Sequence, residues 1–186
     1  MGFYLLENEN PNAALRENGK KGYYYPRRSR DIQGIVVHTA EGGREALGIA
    51  KYFAKTDRPA SAHSVVDDQN IINLLPDDYT GFHVRGHNSN TLGIELAYFA
   101  SEWGLDKEYE DAVVAMAAKW CAEKVELYNI TPRRLNREEW LAGKQGFISH
   151  AELDPSRRTD PGMNFPWEQF FTLIKGKAYR KAKRQD

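Results

Sequence analysis

The sequence predicts an α/β fold: a single domain in which a central mixed β-sheet is flanked by helices. A chain of 186 residues is most simply one domain, and it can bury a core without disulfides. Segments with strand periodicity and segments with helix periodicity follow each other in the order strand, helix, strands, helix, short strand, helix. This mixed order indicates one sheet with helices packed on it.

The strand predictions rest on β-branched density and on alternation. The strongest segment runs from Ile32 to His38, and its apolar finish fits a buried strand. Thr91 to Ala97 alternates as a strand does, with Glu95 as its one charge. Two segments at 62–66 and 70–75 are separated by a polar turn, and a brief strand is expected at 147–148.

The helix predictions rest on apolar spacing and on end signals. A first helix follows the Gly42-Gly43 break and stops before Pro59, and the longest runs from position 107 to about 128. Asn136 and Glu139 have the spacing of a capping box, which predicts a short helix there. Pro166 fits the first turn of a last helix.

Three regions are predicted along the chain: an N-terminal arm over 1–31 with little regular structure, a folded domain over 32–175, and a basic C-terminal tail over 176–186. Lys175 to Arg184 carries six basic residues and no acid. One interpretation of this segment is a frayed, solvated helix end. The other is electrostatic contact with an anionic surface such as a bacterial envelope.

The composition excludes several function classes. Lys plus Arg and Asp plus Glu number 26 each, so the charge does not indicate a nucleic-acid partner. The single Cys121 cannot form an internal disulfide. No apolar run approaches the ~18 residues of a membrane span, and no targeting signal is visible. We therefore expect a protein, most simply a monomer, that is cytoplasmic when made.

A cluster of reactive residue types lies in Ser149–Gly162, a segment rich in turn formers. It contains His150, Arg158 and Asp160, and His38 ends the strongest predicted strand. Two histidines and an aspartate can hold a catalytic zinc ion with one position left open. The spacing alone leaves the alternative open, because a single histidine at a strand end is more often a packed, hydrogen-bonded residue.

The order of five motifs adds independent information. VVHTAEG (36–42), SAHSVVD (61–67), GFHVRGHN (81–88), NTLGIEL (90–96) and SHAELDPSRRTDPG (149–162) follow one another along the chain. Together they resemble the zinc-dependent N-acetylmuramoyl-L-alanine amidases of the type-2 family. That family includes phage amidase endolysins, muropeptide-recycling amidases and peptidoglycan-recognition proteins. The resemblance covers about 32–171 and implies the fold of that family.

The resemblance implies roles for individual residues. Zinc (Zn2+) is its implied cofactor, with His38, His150 and Asp160 matching the three ligands. Glu95 matches a catalytic glutamate, and it has to act as the general base because another branch has a catalytic tyrosine where this chain has Ala62. Arg158 stands where many catalytic members have lysine. It keeps the positive charge but is a wider, planar donor.

The segment before GIEL lines the substrate groove in relatives. The resemblance therefore implies that the substrate is contacted by His63, His83, Asn88 and Asn90. The implied reaction is hydrolysis of the amide between N-acetylmuramic acid and L-alanine in peptidoglycan. A phage endolysin that acts on the cell wall after release is the favoured setting. The alternatives are a cytoplasmic recycling amidase for soluble muropeptides and a module that binds peptidoglycan without cleaving it.

Overall fold

A computed structural model describes residues 23–25 and 27–182, with the side chains of 177–182 outside the description. Most of the predicted arm and the predicted contact of the basic tail therefore lie outside the described residues. Where the arm is described, its regular structure is limited to one short strand. Strand β1 (Tyr24–Tyr25) pairs antiparallel with β5 (Thr80–Gly81). The arm is thereby joined to the domain by backbone hydrogen bonds.

The predicted mixed sheet is confirmed. Its five strands lie in the order β4-β3-β6-β2-β7. The bounds are β2 (Gly34–Thr39), β3 (Ser64–Val66), β4 (Ile71–Asn73), β6 (Thr91–Leu96) and β7 (Gly146–Ser149). All neighbouring pairs are parallel except β3 and β4, which are antiparallel. The two strands with the clearest sequence signals, β2 and β6, lie side by side at the centre.

The helices begin and end where local sequence allows. They are α1 (Ala46–Lys55), α2 (Lys107–Tyr128), α3 (Arg137–Leu141), α4 (His150–Leu153) and α5 (Trp167–Ala182). The side chain of Asp106 accepts from the backbone N–H of Tyr109 at the start of α2, and Asn129 ends that helix in the left-handed conformation. The predicted capping box of Asn136 and Glu139 is present at α3.

Successive side chains of β2 and β6 point to opposite faces of the sheet, one facing the large core and the other facing away from it. Ile35 and Val37 of β2 point into the large core that α2 and α5 cover, as do Leu92 and Ile94 of β6. Val36 points to the opposite face and packs in a second, smaller cluster with Trp140. Because side chains alternate with a period of two, His38 and Glu95 lie on the face away from α2 and α5.

Candidate metal centre and pocket

The candidate site forms at the carboxyl ends of three adjacent parallel strands, β6, β2 and β7. His38 is the fifth residue of β2, and its register partner on β6 is Glu95. On the other side of β2, Val37 pairs with Ser149, the last residue of β7, so His150 follows directly at the same edge. Open α/β sheets bind ligands outside this end of the strands. The sheet therefore brings together residues separated by more than a hundred positions.

His150 is held by an abrupt change from strand to helix. Ser149 ends β7 and caps α4, because its hydroxyl accepts a hydrogen bond from the backbone N–H of Glu152 at 3.1 Å. Four residues of the 149–162 segment, predicted as a loop, therefore form one short helix, His150–Leu153. This correction has a local cause, since a serine three residues before a glutamate is a strong helix start.

Asp160 is held in place by hydrogen bonds to its own backbone carbonyl and to that of the next residue, Pro161. The carbonyl of Asp160 accepts from the N–H of Ala151 at 3.0 Å. The next carbonyl, of Pro161, accepts from the indole N–H of the buried Trp103 at 2.6 Å. Trp103 thus anchors the loop from the core.

Three potential metal ligands converge at this edge of the sheet. His38, His150 and Asp160 are only 2%, 5% and 7% exposed. Nδ1 of His38 and Nδ1 of His150 lie 2.8 Å and 3.1 Å from the same oxygen of Asp160, and all three ligand atoms lie within 4.8 Å of one another. Tetrahedral zinc with bonds of ~2.0–2.1 Å separates ligand atoms by ~3.4 Å. The cluster therefore fits such an ion with little rearrangement.

The electrostatics of the three groups suit a cation. Burial by itself raises the pKa of Asp160, but hydrogen bonds with His150 and His38 outweigh it and hold that pKa well below its ordinary range. Burial lowers the pKa of His38 and outweighs the opposing hydrogen bond with Asp160. An ionised carboxylate beside a neutral imidazole is the protonation state that metal binding requires.

The pKa of Glu95 is shifted upward, opposite to that of Asp160. Glu95 is partly buried, and loss of solvent is the main cause that raises its pKa to about 8. The negative charge of Asp160 raises the pKa further, and the positive charge of Arg158 opposes the shift. A carboxyl group with a pKa near neutrality can take up and release protons under physiological conditions. Glu95 lies on an internal strand, so it is not an exposed charge at a sheet edge.

These groups open into a cavity of about 830 Å³. His38, Glu95, His150 and Asp160 contribute to its lining. This volume lies within the ~300–1,000 Å³ typical of small-molecule sites. Side chains that the sequence did not single out form other parts of the wall: Glu41, Tyr52, Arg58, Phe82 and Arg85. They lie on loops and on α1, where no local pattern distinguishes a wall residue from a solvated one.

Arg158 lines the cavity and is exposed. Among the described residues, no side-chain hydrogen bond or ion pair of Arg158 is found, and it forms no salt bridge with the nearby Asp154 or Asp160. It is Arg157 that pairs with Asp154 through its guanidinium. The backbone N–H of Arg158 donates to the carbonyl of Asp154 at 3.0 Å. Its guanidinium is therefore available to a ligand in the cavity.

The four residues expected to contact substrate divide into two groups. His83 and Asn88 line the cavity, whereas His63 and Asn90 do not. His63 is fully buried, and its Nδ1 accepts from the backbone N–H of Gly93 at 2.9 Å. Asn90 is also buried, and its amide donates to Gln33 at 2.8 Å. Direct substrate contact by His63 and Asn90 is therefore corrected to internal support of β6 and its neighbours.

His63 has a further neighbour that the sequence did not indicate. Arg28, next to the predicted boundary of the arm, lies with its Nη2 2.6 Å from Nε2 of His63. Burial is the main cause that lowers the pKa of Arg28 to about 10, and burial likewise lowers the pKa of His63 to about 3. His63 is thus neutral, and the arm contributes to the interior behind the site.

The fold and the site define a hydrolase of the peptidoglycan amidase type, and comparison with known proteins agrees. The family model for N-acetylmuramoyl-L-alanine amidase matches residues 28–163. The chain belongs to this family. The N-acetylmuramoyl-L-alanine amidase A of Achromobacter lyticus is 24% identical over 169 residues, covering 82% of this chain and 88% of that protein. These findings support N-acetylmuramoyl-L-alanine amidase activity.

Solved structures show the same fold. The hydrolase AmiA of Staphylococcus aureus, in complex with its ligand, superposes with a TM-score of 0.69 at 20% identity, covering 98% of this chain and 85% of that one. An AmpD derivative gives 0.60 at 20% identity, with 92% and 93% covered. A mutant endolysin from Bacillus subtilis gives 0.57 at 22% identity, with 94% and 99% covered.

No helix in the described part of the chain is long and apolar enough to cross a membrane.

Proposed function

We propose that the protein is a zinc-dependent endolysin that hydrolyses the amide between the lactyl group of N-acetylmuramic acid and L-alanine in peptidoglycan. The observation that carries the proposal is the convergence of His38, His150 and Asp160 beside Glu95. All four residues line one cavity. Two histidines and one carboxylate leave a coordination position free, as a catalytic zinc site requires. Action on the wall after release from the cytoplasm is part of this proposal.

Each side chain has a defined part in the proposed reaction. Zinc held by His38, His150 and Asp160 would supply Lewis acidity, which lowers the pKa of water from ~15.7 to about 7. Glu95 accepts a proton from the attacking water and passes it to the leaving amine of L-alanine. The guanidinium of Arg158 donates hydrogen bonds to the oxyanion that develops on the amide oxygen. Since no described residue pairs with its side chain, Arg158 is available for that task.

A turbidity assay on purified cell walls tests the proposal. We expect the wild-type protein to clear the suspension, and we expect a chelator to stop the clearing until zinc is added back. His150→Ala removes a ligand and should abolish clearing. Exposed Glu123 on α2 provides a matched control, since Glu123→Ala should clear walls like wild type. Clearing that survives both the chelator and His150→Ala would exclude a metal-dependent reaction.

Soluble muropeptides form the second arm of the experiment. An endolysin should clear intact walls, whereas a recycling amidase should cleave soluble muropeptides and leave walls turbid. A binding module should pull down with walls and release no free amine from either substrate. Product analysis should show new free L-alanine amino termini and no new reducing sugar ends, because the expected bond is an amide.

A further inference from the structure

A continuous chain of hydrogen bonds runs from a backbone carbonyl to the first candidate zinc ligand. The hydroxyl of Thr91 lies 2.7 Å from the carbonyl oxygen of His87 and 3.1 Å from Nε2 of His83. The other ring nitrogen of His83, Nδ1, lies 3.1 Å from Nε2 of His38. The remaining nitrogen of His38, Nδ1, faces Asp160. The chain therefore connects the turn before β6 with the metal centre.

The direction of every bond in this chain follows from its first member. A carbonyl oxygen can only accept, so the single hydroxyl proton of Thr91 is donated to His87. The oxygen of Thr91 must then accept from Nε2–H of His83. A neutral imidazole carries one N–H, so Nδ1 of His83 is an acceptor, and the nitrogen facing it must be a donor. If a metal ion replaced the proton between Nδ1 of His38 and Asp160, Nε2 of His38 would carry the single proton of the neutral ring, and Nδ1 would present its lone pair to the ion.

We propose that His83 is a positioning residue that fixes the tautomer and ring orientation of His38, so that Nδ1 of His38 is presented to the metal. The inference rests on the proposed zinc chemistry of this site. Metal-binding histidines generally donate their second ring N–H to a fixed acceptor, which sets the tautomer and raises the basicity of the ligand. Here the acceptor is a second imidazole, itself fixed by the hydroxyl of Thr91.

Gly93 supplies an independent observation for the same role. A Cβ atom at this position would lie 2.6 Å from both Cγ and Nδ1 of His83. No real Cβ contact is this short, so the imidazole lies against a strip of β6 that only glycine leaves open. The glycine of GIEL, two residues before the register partner of His38, thus allows the close approach of the ring that orients His38.

The backbone of His83 is fixed as well. The side-chain oxygen of Asn88 accepts from the N–H groups of His83 and Val84 at 3.1 Å and 2.8 Å. Both ring nitrogens of His83 have protein partners, so neither nitrogen is free to form a hydrogen bond with a substrate in the cavity. Support of His38 accounts for these contacts, whereas direct substrate binding by His83 and Asn88 leaves them unexplained.

Zinc affinity is the measurement that separates positioning from substrate binding. Thr91 is fully buried and does not line the cavity. Thr91→Val keeps the shape but removes the acceptor for Nε2–H of His83. We expect it to weaken the zinc Kd, measured by competition with a chromogenic chelator, by about 10-fold or more. Thr91→Ser keeps the hydroxyl and should bind zinc close to wild type.

A second pair of variants acts on the ring itself. His83→Leu removes the acceptor for His38 and should weaken zinc binding at least as much as Thr91→Val. His83→Asn places an amide oxygen near the position of Nδ1 and should recover much of the affinity. If His83 served substrate alone, both variants would raise KM and leave the zinc Kd unchanged, and that result would overturn the proposal.

Nitrogen NMR on the zinc-loaded wild-type protein gives a direct check that needs no variant. Long-range proton–nitrogen spectra should show Nε2–H on both His38 and His83. A proton on Nδ1 of His38 would contradict the proposed chain. Wild-type protein that binds zinc no better than His38→Ala would instead refute the metal centre, so the two failures are distinguishable.

Discussion

His38 and Glu95 are direct register partners on adjacent parallel strands. Their side chains lie on the same face, since both strands turn alternate residues toward the core under α2 and α5. Strand spacing of ~4.8 Å thus sets the distance between a candidate metal ligand and a candidate proton acceptor. Hydrogen bonds of the sheet, rather than a loop, hold the pair, which gives the reaction a rigid geometry.

Glu95→Gln should separate chemistry from metal binding. The amide keeps the size of the side chain but cannot accept a proton, so we expect turnover on muropeptides to fall by about 10²–10⁴-fold. The zinc content should stay that of wild type, because Glu95 is not among the three convergent ligands. Turnover and bound zinc are measured on the same preparation. Undiminished turnover would remove Glu95 from the mechanism.

Glu95 should also reduce the stability of the metal-free protein as the pH rises. Its pKa is raised from 4.5 to about 8, so between these values the native state binds more protons than the unfolded state. The free energy of unfolding therefore falls with increasing pH over this window. The Glu95→Gln variant has no carboxyl group at this position, so its free energy of unfolding does not fall in this way. The difference in free energy of unfolding between the variant and wild type should therefore shift in favour of the variant from pH 5 to about pH 8 and then stay level. Urea denaturation of chelator-treated proteins measures it; a constant difference would contradict the expectation.

Arg158 and Arg157 form a matched pair for testing oxyanion stabilisation. Both are exposed and line the cavity, but Arg157 pairs with Asp154, whereas Arg158 has no side-chain partner among the described residues. We expect Arg158→Ala to lower kcat by about 10²–10³-fold, the effect of losing one oxyanion donor. Arg158→Lys should restore part of that loss, because the charge is kept. Arg157→Ala should leave kcat near wild type, and equal losses in both variants would point to a general charge effect.

The fold could be predicted where the chain carries local signals. The apolar alternation of β2 and β6 and the capping box at Asn136 specify those elements within one or two residues of their observed bounds. The strand β1 escaped prediction because a two-residue strand has no periodicity. Its partner Thr80–Gly81 is equally short, so only tertiary contact defines the pair.

The site could be predicted only in part. Candidate metal ligands are recognisable by residue type, whereas the residues that hold them in place have no such feature in the sequence. His38, His150 and Asp160 stood out as residue types that bind metals, and the structure brings them together. His63, in contrast, is buried and lies against Arg28, which is 35 positions away in the sequence. A single sequence does not reveal which histidines face a cavity and which support those that do.

Glu110 should stabilise the loop that anchors Asp160. It is buried at the start of α2, where its Oε1 accepts from the N–H groups of Gly104 at 2.6 Å and Leu105 at 3.1 Å, and from the hydroxyl of Tyr98 at 2.9 Å. The same loop carries Trp103, whose indole N–H binds the carbonyl of Pro161. One carboxylate oxygen thus organises the turn that fixes the third ligand from behind.

Glu110→Ala leaves these donors without an acceptor, and buried donors in that state cost about 1–3 kcal/mol. We expect the free energy of unfolding at pH 7 to fall by about that amount, measured by urea denaturation.

The effect of Glu110→Ala should depend on pH. Burial raises the pKa of Glu110, but the hydrogen bonds that its carboxylate accepts outweigh burial and lower the pKa, so the native state binds fewer protons than the unfolded state. Its contribution is therefore present above the ordinary glutamate pKa and is lost as the pH falls through the depressed value. The difference between variant and wild type should shrink in acid, whereas Glu123→Ala, an exposed change on the same helix, should leave stability nearly unchanged at either pH. A difference that stays constant with pH would mean that the ionised carboxylate is not what holds the loop.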